Sequence, residues 1–272
     1  MQLVPSPELS GLVKHYLIIE NQVDHTPIYR FFPDGHTGFV FTYADPLTQY
    51  YVTDQPLTLP NSFVYGQANR YHTLLSGKKI GMLIVVLQPW GLHVLSGIPG
   101  NETTNNQISL SSVFGNDGSR LQEQILNDAD NASRIKRIEL FLLKHWQGLS
   151  YESVSVQAAI QRIHQTKGST TVQELTRHLS VTERSLERRF DKVMGIRPKQ
   201  FARIIRLQHC LKIHRENPAL TLTELAYSTG YYDQAHFIRE FTNLVGITPT
   251  QYDANAQRLA VNLMPLDPSI GT

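Results

Sequence analysis

Thr182-Glu183-Arg184-Ser185-Leu186-Glu187-Arg188-Arg189-Phe190-Asp191-Lys192-Val193-Met194-Gly195-Ile196-Arg197-Pro198 reads as one capped helix and its stop signal. Thr182 offers a hydroxyl to an otherwise unpaired backbone N–H at the helix start, and Gly195 ahead of Pro198 ends the helix. At about 100° per residue, Leu186, Phe190 and Val193 share one face, whereas Arg184, Arg188 and Asp191 lie opposite with Glu187 and Lys192 at the flanks. The helix is apolar toward a core and polar toward a partner.

The stretch repeats. Leu186, Phe190, Gly195, Ile196 and Pro198 recur fifty-one residues later as Phe237, Phe241, Gly246, Ile247 and Pro249. Upstream, Thr171, Glu174 and Leu175 recur at a spacing of fifty as Thr221, Glu224 and Leu225. The added residue falls at a turn, where Ser180-Val181-Thr182 is matched by Gly230-Tyr231-Tyr232-Asp233. Thr171 with Glu174, and Thr221 with Glu224, have capping-box spacing and open short helices over 172–179 and 222–229. Each copy therefore reads helix, tight turn, helix, with the second helix capped by Thr182 or Asp233. Two copies make a duplicated unit and are too few for a solenoid. In the second copy Phe237, Phe241 and Leu244 form the buried face, while Ala235 and Arg239 point away beside His236.

Charge follows the same division. Residues 1–150 hold 10 Lys+Arg against 12 Asp+Glu, and 151–272 hold 15 against 11. Within 177–215 the balance is 11 basic to 3 acidic. Such a cluster favours a polyanion, because neutralised phosphates release condensed counterions; the alternative is a solvated helix face. A rigid helix with a polar edge fits the major groove. There Arg184, Arg188 and Arg239 have the donors for guanine, Glu187 accepts from cytosine, and Gln234 pairs with adenine. Thr182, Lys192, Lys199, Arg203 and His236 suit phosphate anchoring, with Ser185 and the cap Asp233 beside them. For any single Arg the competing reading is a surface ion pair contributing about 0–1 kcal/mol.

Residues 170–252 resemble the DNA-binding domain of the AraC/XylS transcription regulators. The resemblance rests on Leu175, Ser185-Leu186-Glu187-Arg188-Arg189-Phe190, Gly195-Ile196-Arg197-Pro198, Arg206-Leu207, Leu225-Ala226, Gly230-Tyr231, Phe237-Ile238-Arg239-Glu240-Phe241 and Gly246-Ile247-Thr248-Pro249. It implies two helix-turn-helix units joined by a long central helix, with recognition helices opening at Thr182 and Asp233 and meeting successive major-groove segments. The outward Ala235 departs from a base-reading pattern, which puts the weight of the second unit on Gln234, His236 and Arg239.

The amino-terminal half looks different. Short β-branched and aromatic runs at 16–20, 37–43, 50–53, 62–65, 71–75 and 80–87 alternate with turn residues such as Pro33-Asp34-Gly35 and Leu59-Pro60-Asn61. They predict a β-rich barrel, sandwich or cupin-like domain. Helical spacing follows, in Ile135, Ile138, Leu142 and Trp146, a stripe that is either core or a subunit contact. A second helix is expected over 154–166. Pro33-Asp34-Gly35, Gly66-Gln67 and Leu87-Gln88-Pro89-Trp90-Gly91 are similar to a poorly characterised subgroup of such regulators. The fold class is thus α+β: a β-rich domain with trailing helices at 1–150, an all-α DNA-binding domain at 151–258 and a tail at 259–272.

The 272 residues are 41% hydrophobic and 18% charged, which excludes disordered and collagen-like classes. The first residues lack a signal-peptide pattern, and the longest apolar run, 80–87, is too short for a bilayer. One cysteine, Cys210, fits a reducing cytoplasm and a small buried apolar role in the central helix. The histidines are scattered, without cupin metal-ligand spacing, and neither a nucleophile elbow nor a phosphate loop is present. No enzyme, metal or cofactor is expected. Tyr16, Phe31, Phe39, Phe41, Tyr43 and Trp90 are the candidates for lining a ligand cavity. The expected partners are promoter double-stranded DNA and a small-molecule effector, with a second copy of the chain and RNA polymerase as further candidates, and no membrane. Two other readings stay open: an amino-terminal enzyme or binding module tethered to nucleic acid, and a regulator controlled by protein contact without a ligand.

Overall fold

The computed structural model describes residues 1–24, 26–50, 55–146, 148–252 and 262–265. The amino-terminal half runs β1 (Gln2–Leu3), a 3-10 turn at Pro7–Leu9, β2 (Val13–Gln22), β3 (Ile28–Phe31), β4 (Thr37–Thr42), β5 (Leu47–Tyr50), β6 (Leu57–Thr58), β7 (Ser62–Tyr65), β8 (His72–Ser76) and β9 (Lys79–Leu87). Helices α1 (Gly91–Ser96) and α2 (Gly100–Thr103), strand β10 (Gln107–Ser109) and helices α3 (Leu110–Asn127) and α4 (Asn131–His145) follow. The strands form two open antiparallel sheets, not a closed barrel. One has the order β1-β2-β9-β4-β7-β10. The other has the order β3-β8-β5-β6, extended at the β3 edge by β11 (Leu263–Pro265). The tail segment thus returns to the amino-terminal domain and supplies its edge strand, pairing Leu263 with Phe31 and Pro265 with Tyr29. The run expected at 50–53 begins earlier, as β5, and residues 51–54 lie outside the described residues.

The six-stranded sheet is a middle layer, so its strands are apolar on both faces. Tyr16, Ile18, Phe39, Phe41, Leu83, Val85 and Leu87 face α1, α3 and α4 in one core. Their neighbours in alternation, Leu17, Ile19, Val40, Phe63, Met82 and Ile84, face the second sheet. Ile138 and Leu142 are fully buried in the first core with Ile135 and Trp146 against it. The helical stripe read as core or subunit contact is therefore core.

The carboxy-terminal half runs α5 (Tyr151–Gln165), α6 (Val172–Leu179), α7 (Glu183–Met194), α8 (Pro198–Glu216), α9 (Leu222–Ser228) and α10 (Gln234–Val245). Both capping boxes form, Thr171 with Glu174 and Thr221 with Glu224. Thr182 caps α7 by accepting from Ser185 N, Asp233 caps α10 by accepting from His236 N, and Gly195 and Gly246 end the two helices in the left-handed conformation. Leu186, Phe190, Phe237 and Phe241 join one core with the apolar side chains of the central α8, among them the buried Cys210, whose thiol burial pushes up to about 12. Phe32 and Trp90 of the amino-terminal half and Met264 of β11 belong to that same cluster. The two halves share a continuous core.

Candidate nucleic-acid interface and cavity

On α7, Arg184 and Arg188 are exposed, Glu187 half-buried, and Thr182 and Lys192 exposed. On α10, Gln234, Ala235 and Arg239 are exposed, with Asp233 and His236 half-buried. The recognition edges predicted from the wheel are therefore open in both copies. A groove between the units is lined by Glu183, Lys199, Arg203, His236 and Arg239, which brings the second helix's Arg239 to the same concave surface as the start of α8.

Two basic side chains assigned to phosphate already have protein partners. Lys192 Nζ lies 2.6 Å from Glu152 of α5. Arg203 Nε donates to Glu240 Oε2 at 2.7 Å, and Arg206 Nη2 donates to Glu240 Oε1 at 2.8 Å. Glu240, only 3% exposed, is the hub of the groove floor: burial opposes its charge, but Arg206 and then Arg203 hold its carboxyl below the usual carboxylate range. Arg206 also stacks over the Tyr231 ring at 4.5 Å. Sequence reading missed this hub, although Arg203, Arg206 and Glu240 sit at helical positions facing one another. Tyr227 and Tyr232, exposed by 61% and 85% about the second turn, were not among the sequence candidates.

Helices α7 and α10 both end on the amino-terminal domain. Gly195 lies against α2: Thr104 Oγ1 donates to Gly195 O at 2.9 Å, Asn101 Nδ2 donates to Asp191 Oδ2 at 3.1 Å, and a Cβ on Gly100 would run into the Met194–Gly195 backbone. Gly246 lies against β3 and the residue ahead of β8: a Cβ there would meet Arg30 and Tyr71. Arg30, buried and stacked over Tyr71 at 4.3 Å, points Nη1 at Val245 O. Equivalent glycines of the repeat thus both lie against one domain, through different partners.

Between the two sheets lies a cavity of about 700 Å³. Its walls are the inward residues of both sheets, including Leu17, Tyr29, Val40, Leu74, Met82 and Ile84. Its rim, against α5 and α8, carries Lys14, Lys167 and Lys212 with Asp34 and Glu216, and several histidines. Of the six aromatics expected at a ligand, Phe31 lines this cavity. Tyr16, Phe39 and Phe41 stand on the opposite, helix-facing side of the middle sheet. Tyr43 donates to Glu20 and sits under Arg134, and Trp90 packs into the carboxy-terminal core. Among the described residues no cluster of three or more His, Cys, Asp or Glu is arranged to hold a metal, and no helix is long and apolar enough to cross a membrane.

Residues 175–255 match the helix-turn-helix domain model, and residues 1–109 match a domain of unknown function, DUF6597. Curated proteins give no match. Among solved structures, ToxT from Vibrio cholerae O395 is similar at 11% identity and a TM-score of 0.49, covering 89% of this chain and 97% of that one. The C-terminal domain of AraT, a response regulator from Geobacillus stearothermophilus, is similar at 26% identity and a TM-score of 0.35, covering 38% of this chain and 86% of that one. The carboxy-terminal module is the AraC-type helix-turn-helix domain of a DNA-binding transcription regulator, set behind an amino-terminal domain whose family has no assigned function.

Proposed function

We propose that this chain is a sequence-specific regulator in which residues 151–258 read promoter DNA and residues 1–150 sense a small, mainly apolar effector in the inter-sheet cavity. The carrying observation is that the cavity-bearing domain touches both recognition helices at their terminal glycines. Strand β3 links the two functions, since Tyr29 and Phe31 line the cavity while Arg30 between them faces the end of α10. A ligand that moves β3 shifts the population of arrangements in which α7 and α10 are spaced for successive grooves. The rim lysines favour an effector with an acidic group. For the solved relatives this has a parallel: one ToxT structure is described as bound to an unsaturated fatty acid.

Base contacts are assigned to Arg184, Glu187, Arg188, Gln234 and Arg239, and backbone contacts to Thr182, Ser185, Lys199 and His236. Arg188→Ala is expected to weaken binding to a selected genomic site by roughly 1–3 kcal/mol and to relax preference at one position. Gel-shift titration of matched and mismatched duplexes checks this; equal losses on specific and random DNA would assign Arg188 to phosphate instead. Docking is tested by Gly100→Ala. Backbone faces backbone there, so the added methyl has no flexible neighbour to displace, and overpacking is expected to destabilise the docked form by roughly 1–3 kcal/mol. An unchanged urea midpoint would mean that α2 and α7 are not in contact in solution.

A further inference from the structure

The cavity wall carries a buried polar pair that the effector reading leaves unused. Gln49 on β5 and His72 at the start of β8 face inward on the same side of the second sheet, because Gln49 pairs with Leu74, two residues from His72. Gln49 is fully buried and His72 is 3% exposed. Gln49 Nε2 lies 2.9 Å from His72 Nδ1, which uses the amide's donor side. Gln49 lines the cavity, and its Oε1 has no hydrogen-bond partner. A buried carbonyl oxygen without a donor carries an uncompensated desolvation cost, and buried polar groups are ordinarily satisfied. Leu47, Leu59, Phe63 and Leu74 line the same cavity without a side-chain donor, and the Tyr29 hydroxyl, on the same row of the sheet, makes no hydrogen bond to Gln49.

We propose that Gln49 is the specificity-determining residue of this cavity, and that its ligand is a lipophilic acid carrying a hydroxyl, whose O–H donates to Gln49 Oε1 while the hydrocarbon fills the space between the sheets. The His72 imidazole fixes the amide so that its oxygen, not its NH₂, meets the ligand. The assignment rests on the effector reading above, which supplies the acidic end at the rim lysines; the hydroxyl preference is the new element. The site therefore discriminates by donor and not by polarity: an ether oxygen at the same place would meet Oε1 lone pair to lone pair.

The test uses the full chain and three probes: decanoic acid, ω-hydroxydecanoic acid and the methyl ether of the latter, each titrated by calorimetry. The hydroxy acid is expected to bind about tenfold more tightly than decanoic acid, and the ether more weakly than the hydroxy acid by at least that factor. Gln49→Leu and the near-isosteric Gln49→Met are expected to erase the preference while keeping affinity for decanoic acid, so that a folding defect in one variant does not decide the result. Equal binding of all three probes to the native chain, or tightest binding of the ether, overturns the role of Gln49 and leaves the effector reading standing. Binding of none of them overturns the lipophilic-acid reading of the cavity, and this inference with it.

Discussion

Glu240→Ala is expected to lower the stability of the chain by about 3 kcal/mol, because it leaves the largely buried Arg206 without its counter-charge, while the more exposed Arg203 is screened by solvent. Arg206 and Arg203 both reach the same carboxylate, and His236 Nε2 stands 3.9 Å from it. Removal of one member of a buried charged cluster costs more than replacement of the whole cluster by apolar residues, since the remaining charges stay desolvated. Glu240→Gln keeps the shape and one acceptor oxygen and is expected to lose less. On the proposed reading the effect reaches DNA binding as well: Glu240 lies on α10 one residue after Arg239 and ties that helix to the central α8, so α10 loses its fixed spacing from α7. A urea midpoint within experimental scatter of the native chain for Glu240→Ala would show that the cluster contributes nothing net.

The duplicated carboxy-terminal module was legible because every signal there is local. Caps, glycine stops and a 3.6-residue apolar period lie within one or two turns of each other, and the repeat states each of them twice. Thr171, Thr182, Thr221 and Asp233 all cap as their spacing requires. The cavity was not legible, for a physical reason. In a sheet buried on both faces the period-2 contrast vanishes: Tyr16, Leu17, Ile18 and Ile19 are all buried. Composition therefore shows that these strands are interior but not which face meets helices and which meets empty space. The aromatics chosen from the same strands went to the helix side, whereas smaller Leu17, Val40 and Met82 line the void. Strands β3 and β11 have four and three residues, too few for a periodic signal, and β11 finds its partner only after more than two hundred residues of intervening chain. Glu240 was hidden because a carboxylate beside an exposed arginine on a helix reads as solvated until the helices that bury it are placed.

Acid is expected to destabilise the amino-terminal domain well above the range where carboxylates titrate. Burial drives His36 and His72 each down to about 4, and nearby cations, Lys14 for the first and Arg70 for the second, add to the effect; Asp34 beside His36 opposes it. The hydrogen bonds agree with a neutral His36, since Nδ1 donates to Leu87 O at 3.0 Å and Nε2 accepts from Lys14 Nζ at 2.6 Å. A second ring proton would point straight at the ammonium. In the unfolded chain both rings titrate near 6.5. Above that value neither state holds the proton and stability is level. As pH falls below it the unfolded chain takes up protons that the folded chain refuses, so stability drops by about 1.4 kcal/mol per pH unit for each ring. By about pH 5 the loss is roughly 2 kcal/mol per histidine, and it stops growing below about pH 4, where the folded rings also protonate. His15, His164 and His209 at the cavity rim are lowered in the same direction, mainly by burial. The double variant His36→Gln, His72→Gln leaves those three in place, so its difference from the native chain isolates the buried pair. Urea midpoints measured near neutrality and near pH 5 are expected to diverge strongly for the native chain and much less for the variant. Parallel losses in both would mean that these two rings stay accessible to protons in the folded state, and that the cavity wall beside Gln49 is open to water.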